Sequence, residues 1–329
     1  MDSSLIKPLS FSSSVGEVIS LAKNNSILAI EKNGRIVRWL NQNDKWQSEE
    51  LVNRSGVQII SASINKNEST LALKAKSGKK NIQIEIYDLN NLKNAKTIVN
   101  FDSDIESILV KPDGKGFYAL TSSRKSIVFC DLINTKNIIT SSDVINMIDI
   151  SGDGETIAGI GTKGRVYFWD TKNYLPSEFQ IEKESELTSL TFTPKFKDLV
   201  VGNSLGQLKI LTNGIIRRVL QFHHAPVDQI VFSHNGRFLA SLDRNKKILI
   251  WNWASLNMRP LEIQENVGIG NIAFSQDDNH LMTSSKTVCY WPLNMSSFAA
   301  KLCERIDRNM TKEEWEQYIG DIPYQKTCQ

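Results

Sequence analysis

Gly164–Arg165–Val166–Tyr167–Phe168–Trp169–Asp170 leaves a glycine turn, runs apolar at four consecutive positions and stops on an acid. Gly34–Arg35–Ile36–Val37–Arg38–Trp39–Leu40 has the same build, as does Lys247–Ile248–Leu249–Ile250–Trp251–Asn252. Continuous apolar runs of this length, bounded by turns, read as strands buried on both faces. The residue closing the run recurs as Trp39, Tyr87, Cys130, Trp169, Leu211, Trp251 and Trp291, at separations of 48, 43, 39, 42, 40 and 40. A period near 40 residues marks a propeller or solenoid.

Each unit carries two further runs before the closing one. In the sixth, Val227–Phe232 precedes the turn Ser233–His234–Asn235–Gly236, and Phe238–Ser241 leads through Arg244–Lys247 into Ile248–Trp251. Pro112–Asp113–Gly114, Gly152–Asp153–Gly154 and Asn235–Gly236 occupy one place in three units. Asn-Gly and Asp-Gly tolerate the left-handed backbone of tight hairpins. With a fourth strand in each link, the expectation is an all-β, seven-bladed propeller over residues 1–294, followed by a short helical tail over 295–329. A single sheet leaves both faces open, so the ring must close. Residues 1–14 supply either the closing strand, through Leu5–Phe11, or a serine-rich leader.

The tail changes character. Ser296 or Ser297 can cap a helix presenting Phe298, Ala299, Leu302 and Ile306. Thr311–Lys312–Glu313–Glu314 is a capping box for a second helix, which Gly320 and Pro323 end. Phe298, Leu302, Trp315 and Tyr318 are the expected contacts with the propeller.

Residues 15–294 resemble the WD-repeat (tryptophan–aspartate) β-propeller family. The dipeptide is complete at Trp169–Asp170, nearly so at Tyr87–Asp88, Cys130–Asp131 and Trp251–Asn252, and degenerate at Leu211–Thr212 and Trp291–Pro292. The resemblance implies that His223, Ser241 and Trp251 form a hydrogen-bonded network pinning the sixth blade. Asn245 takes the family's aspartate position, so the network should be neutral. Lys163 stands there in the fourth unit, where no network is expected. The tail, from Cys303–Glu304–Arg305 to Tyr324–Gln325–Lys326–Thr327–Cys328, is similar to the C-terminus of bacterial multidomain proteins with a WD propeller behind a signalling effector. That likeness implies a bacterial chain acting with an effector module.

Charged residues make up 23% and apolar residues 40% of the 329, with a net charge of +3. These values suit a soluble globular protein and do not imply nucleic acid. No run of 18 apolar residues exists, and the N-terminal stretch lacks a signal-peptide core, so the chain is expected in the cytoplasm without a membrane span. Cys130, Cys289, Cys303 and Cys328 lack CxxC spacing, which argues against zinc and a disulfide framework. Cys130 and Cys289 fall in strands, and Cys303 and Cys328 are expected as free thiols in a reducing cytoplasm.

The sequence contains no GxxxxGK[ST] loop, GxSxG elbow or HExxH pair. His223 and His224 point to opposite sides of an extended chain, and His234 and His280 fall at turns expected to be exposed. Asp277–Asp278 and Asp153/Glu155 sit where aspartate serves turn geometry. No catalytic, cofactor or metal residue is therefore assigned. The recurring polar feature is a basic residue in the turn between second and third strands: Lys32 and Arg35; Lys79 and Lys80; Arg124 and Lys125; Lys163 and Arg165; Arg244, Lys246 and Lys247; and Lys286. In a propeller these turns share one face. Asp113, Asp153, Glu155, Asp277 and Asp278 lie on the other. A basic ring would steer an acidic protein or peptide partner. Alternatively, each lysine is only a soluble turn residue. Nucleic acid would need interleaved aromatics that these turns lack. A non-catalytic interaction or sensing scaffold is the expectation. The competing readings are a hydrolase or lyase with a channel-mouth active site, and a nucleic-acid-binding propeller.

Overall fold

The computed structural model describes residues 9–10, 15–21, 26–42, 45–53, 57–65, 69–77, 81–89, 97–101, 104–131, 136–195, 197–264, 270–275, 277–284, 287–293, 309, 311–318, 323–324 and 326. They form seven four-stranded antiparallel sheets, the blades of a propeller. In the sixth blade the strands are Val227–Phe232, Phe238–Asp243, Lys247–Asn252 and Leu261–Gln264. The last sheet takes its outer strand from the start of the chain, where Leu9 pairs with Val288 and Ser10 with Thr287.

Strand register explains the sequence period. Trp39, Tyr87, Cys130, Trp169, Leu211, Trp251 and Trp291 stand opposite Ile27, Leu71, Phe117, Ile157, Leu199, Leu239 and Leu281, one equivalent pair in every blade. Successive side chains of a strand alternate faces. Ile248 and Ile250 therefore pack towards the seventh blade, with Ile272, Leu281 and Trp291. Leu249 and Trp251 pack towards the fifth, with Val200, Leu208 and Leu220. Both faces are buried, which is why the run has no polar alternation. Val18, Ile27 and Ala29 of the first blade cluster with Met282 and Val288 of the last, closing the ring.

The innermost strands are also stitched across blades by side chains. Asp149 Oδ2 accepts from the Phe192 N–H at 2.8 Å, Ser63 Oγ from Val110 at 3.0 Å, and Gln229 Oε1 from Ile272 at 3.0 Å. A strand beside the channel has a free hydrogen-bonding edge, and these groups satisfy part of it.

Lys312–Tyr318 is helical. The Thr311–Glu314 box closes reciprocally, with Glu314 N–H donating to Thr311 Oγ1 at 3.1 Å and Thr311 N–H donating to Glu314 Oε2 at 2.9 Å. Trp315 is buried, edge-on to Tyr324 at 5.6 Å. The expected helix with Phe298, Leu302 and Ile306 lies outside the described residues, as do Cys303 and Cys328. Cys130 and Cys289 are buried in their strands. No helix of the described residues is long and apolar enough to cross a membrane.

Candidate interaction face at the channel mouth

Antiparallel strands place the turns between second and third strands at the same end of the ring as the links between blades. In five blades the second strand ends opposite a bulge in the first, at Glu31, Thr121, Gly161, Asn203 and Asp243, and in the second blade the bulge faces Ala75, two residues before the strand ends at Ser77. This position carries the network of the sixth blade, and it corrects two expectations. Asp243, not Asn245, is the acid. His223 Nδ1–H donates to Asp243 Oδ2 at 2.9 Å, and His223 Nε2 accepts from the Ser241 hydroxyl at 2.8 Å. Trp251 Nε1–H donates to Ser241 Oγ at 2.9 Å, and the Lys247 N–H donates to Asp243 Oδ1 at 3.0 Å. The proton positions on the imidazole follow from these partners. His223 and Asp243 are both buried, and desolvation lowers the His223 pKa despite the Asp243 bond. The neutral imidazole thus relays hydrogen bonds to a buried acid. Asn245 is exposed in the turn.

The equivalent of Asp243 in the fourth blade is Gly161, not Lys163, which stands where Asn245 stands. A Cβ on Gly161 would lie 2.7 Å from the Tyr167 ring and 2.8 Å from Asp143 Oδ2. Tyr167 O–H fills that space and donates to Asp143 Oδ2 at 3.2 Å, while the Thr162 hydroxyl donates to Asp143 Oδ1. A different acid, from the link, pins this blade. Trp169 is buried and stacks on Tyr167 at 5.7 Å. Asp170 closes the strand, its Oδ1 accepting from the Lys172 and Asn173 N–H groups, which hold its carboxyl below the usual range.

The basic residues expected on this end separate into two groups. Arg35 pairs with Glu31 at 3.1 Å and Glu50 at 2.5 Å, Arg124 with Glu106 at 2.6 Å, and Arg165 with Glu178 at 3.1 Å. Arg244 pairs with Asp228 and Lys247 with Glu262, both at 3.0 Å. The carboxylates come from the first, second and fourth strands on the same end. Exposed pairs of this kind contribute little stability, but they cancel the field of a basic ring. Lys32, Lys125, Lys163 and Lys246 have no ion pair among the described residues, and the first three are exposed. Lys79, Lys80 and Lys286 lie outside the described residues.

Arg124 also donates to Asn146 Oδ1 of the next blade at 3.4 Å, so it bridges two blades across the mouth. Arg124 and Lys246 adopt left-handed backbone, φ 57° and 67°, where the first and fifth blades place Gly34 and Gly206. An L-residue there costs about 1–2 kcal/mol. Lys246→Gly should therefore raise stability by about 0.5–1 kcal/mol in denaturant unfolding, part of the relief being lost to a freer unfolded chain. No stabilisation would mean that the lysine side chain is held by contacts that offset the strain.

The opposite end is held by its own turns. Ser151 and Ser275 hydroxyls donate to Asp153 and Asp277, each at 2.6 Å. Asp278 accepts from the His234 and Asn235 N–H groups of the neighbouring blade at 2.8 and 2.7 Å. Lys197 pairs with Asp153 and Glu155, and Lys111 with Asp113. His234 is exposed, whereas His280, expected to be exposed, is half-buried and stacked on Tyr290 at 4.3 Å. Among the described residues no three His, Cys, Asp or Glu side chains converge as a metal site.

The family model for the WD domain, G-beta repeat, matches residues 214–252. The chain carries a WD repeat. That match spans the outer strand of the fifth blade and all four residues of the His223 network. The Cps50 (Swd1) beta-propeller domain of Myceliophteria thermophila superposes with a TM-score of 0.73 at 16% identity, covering 88% of this chain and 99% of that one. Meiotic recombination protein rec14 of Schizosaccharomyces pombe is 32% identical over 112 residues, 31% of this chain and 35% of that protein. Transcription initiation factor TFIID subunit 5 of Caenorhabditis elegans is 20% identical over 202 residues, 60% of this chain and 31% of that protein. The matches span about a third of each curated relative's length. These similar proteins are eukaryotic and lend nothing to the bacterial effector expectation, which came from the tail alone.

Proposed function

We propose that this WD-repeat propeller is a non-catalytic protein-interaction scaffold whose channel mouth receives an acidic peptide or protein surface. The observation that carries the reading is the set Lys32, Lys125, Lys163 and Lys246. Among the described residues these ammonium groups have no carboxylate partner, on an end where the neighbouring arginines are paired. The resemblance to TFIID subunit 5, by name one subunit of a larger factor, supports a role in an assembly. Unpaired charges on a fixed ring chiefly set encounter rate and partner choice, while buried contacts at the mouth would supply affinity.

The test is affinity capture from the source cell, comparing wild type with a variant carrying Lys32→Glu, Lys125→Glu, Lys163→Glu and Lys246→Glu. Arg124 is excluded because its reversal would break the Glu106–Asn146 bridge. A control reverses the exposed Lys115 and Lys195 on the opposite end. Proteins retained by wild type and control but depleted about tenfold or more on the mouth variant are the expected result. Equal recovery on all three would overturn the assignment of the mouth.

A further inference from the structure

The outer strand of the fifth blade, Ile215–Gln221, lies beside the segment that leads into the outer strand of the sixth. Arg218 donates to Asn257 Oδ1 and ties the two together. Residues 213–224 contain Arg217 and Arg218, and residues 252–260 contain Arg259; neither segment contains a carboxylate. No ion pair engages these guanidinium groups among the described residues. At the end of this seam lies a pocket of about 190 Å³. Phe222, Leu249 and Pro260 line its apolar part. His224, Lys247, Arg259 and Glu262 line its polar part, with Glu262 already paired to Lys247. Phe222 is 40% exposed although its ring meets Trp251 edge-on at 5.4 Å, and Met258 beside Arg259 is 66% exposed. The seam therefore combines a small cavity of mixed apolar and charged lining, two exposed large apolar side chains and three arginines that no carboxylate pairs among the described residues.

We infer that this lateral pocket between the fifth and sixth blades is a second docking site, which takes a protein segment carrying an apolar side chain next to carboxylates. The apolar side chain would enter the pocket against Phe222 and Pro260. The carboxylates would meet Arg259, Arg218 and Arg217, whose planar forks suit paired oxygens. A second copy of this strand is a poor occupant. Antiparallel pairing centred on Arg218 would set that residue against itself, and like charges opposed across strands destabilise pairing. The site is on the outer rim, at the end of the ring that carries the Lys247–Glu262 pair, and none of Lys32, Lys125, Lys163 and Lys246 lines it.

A phage library of short random peptides, panned on the full chain, tests the inference. Enriched sequences should join aspartate or glutamate to a leucine-like or aromatic residue. Arg259→Glu, an exposed change that leaves the core intact, should reduce their retention about tenfold or more, and Phe222→Ser should do likewise. The channel-mouth variant should retain them fully, which separates this site from the proposed function. Failure to enrich, a basic consensus, or retention unaffected by Arg259→Glu would overturn the inference. So would loss of the peptides on the mouth variant alone. Polyuridylate retained by wild type and lost on Arg259→Glu, with no peptide enrichment, would instead assign the seam to nucleic acid.

Discussion

His223→Ala should destabilise the protein by about 3–5 kcal/mol, while Asn245→Ala should change stability by no more than about 0.5 kcal/mol. The first change removes the donor to Asp243 Oδ2 and the acceptor of the Ser241 hydroxyl in one step. It leaves a carboxylate buried with the Lys247 N–H as its remaining hydrogen bond among those named, and a cavity beside Trp251. An unpaired buried acid pays the full desolvation penalty, and the cavity adds to it. Asn245 touches none of this and faces solvent. Equilibrium denaturation of both variants decides the matter. A large loss with Asn245→Ala and a small one with His223→Ala would return the network to the residue assignment that the sequence suggested.

That assignment failed for a reason visible in the chain. Asn245 lies in the turn beyond the strand, and turns between second and third strands differ in how they are built. Counting along the strand gives the right answer, because Leu239, Ser241 and Asp243 alternate onto one face, and Leu239 lies opposite Trp251. A serine and an acid at i and i+2, on the face of a buried tryptophan, were the available signal. Gly161 in the fourth blade had no such signal. Its meaning comes from Tyr167 and Asp143, which approach from another strand and a link. By contrast, the blade count was legible because one register pair repeats in every sheet. Sterics of the pleat fix that pair regardless of whether tryptophan, tyrosine, cysteine or leucine fills it.

The charged face was half legible. Turn residues announced the lysines and arginines, but their partners sit on strands whose register the sequence does not state. Arg165 meets Glu178 because Tyr167 pairs with Glu178 across the third and fourth strands, two residues from Arg165. Arg35 meets Glu50 past a bulge between Ile36 and Val37. Which cations remain for a partner is thus a property of pairing, and it reduces the candidate set to lysines.

Asp149 should make stability fall as pH rises from about 4 to about 7. Its carboxylate is enclosed between the innermost strands of the fourth and fifth blades, although the residue as a whole is only half-buried. Desolvation pushes its pKa from 3.8 up to about 6, against the Phe192 and Ile150 N–H bonds that favour the anion. The folded state then holds this proton more tightly than the unfolded chain. Stability from the group is complete below the unfolded value and is lost as pH passes through the folded one. A shift of this size corresponds to about 3 kcal/mol. Asp149→Asn cannot titrate, so its stability relative to wild type should improve by roughly that amount between pH 4 and pH 7. Measuring the difference between the two proteins at each pH cancels the carboxylates they share. A difference that stays flat would mean that the Phe192 and Ile150 donors outweigh desolvation, leaving Asp149 ionised across the range as an ordinary stitch between blades.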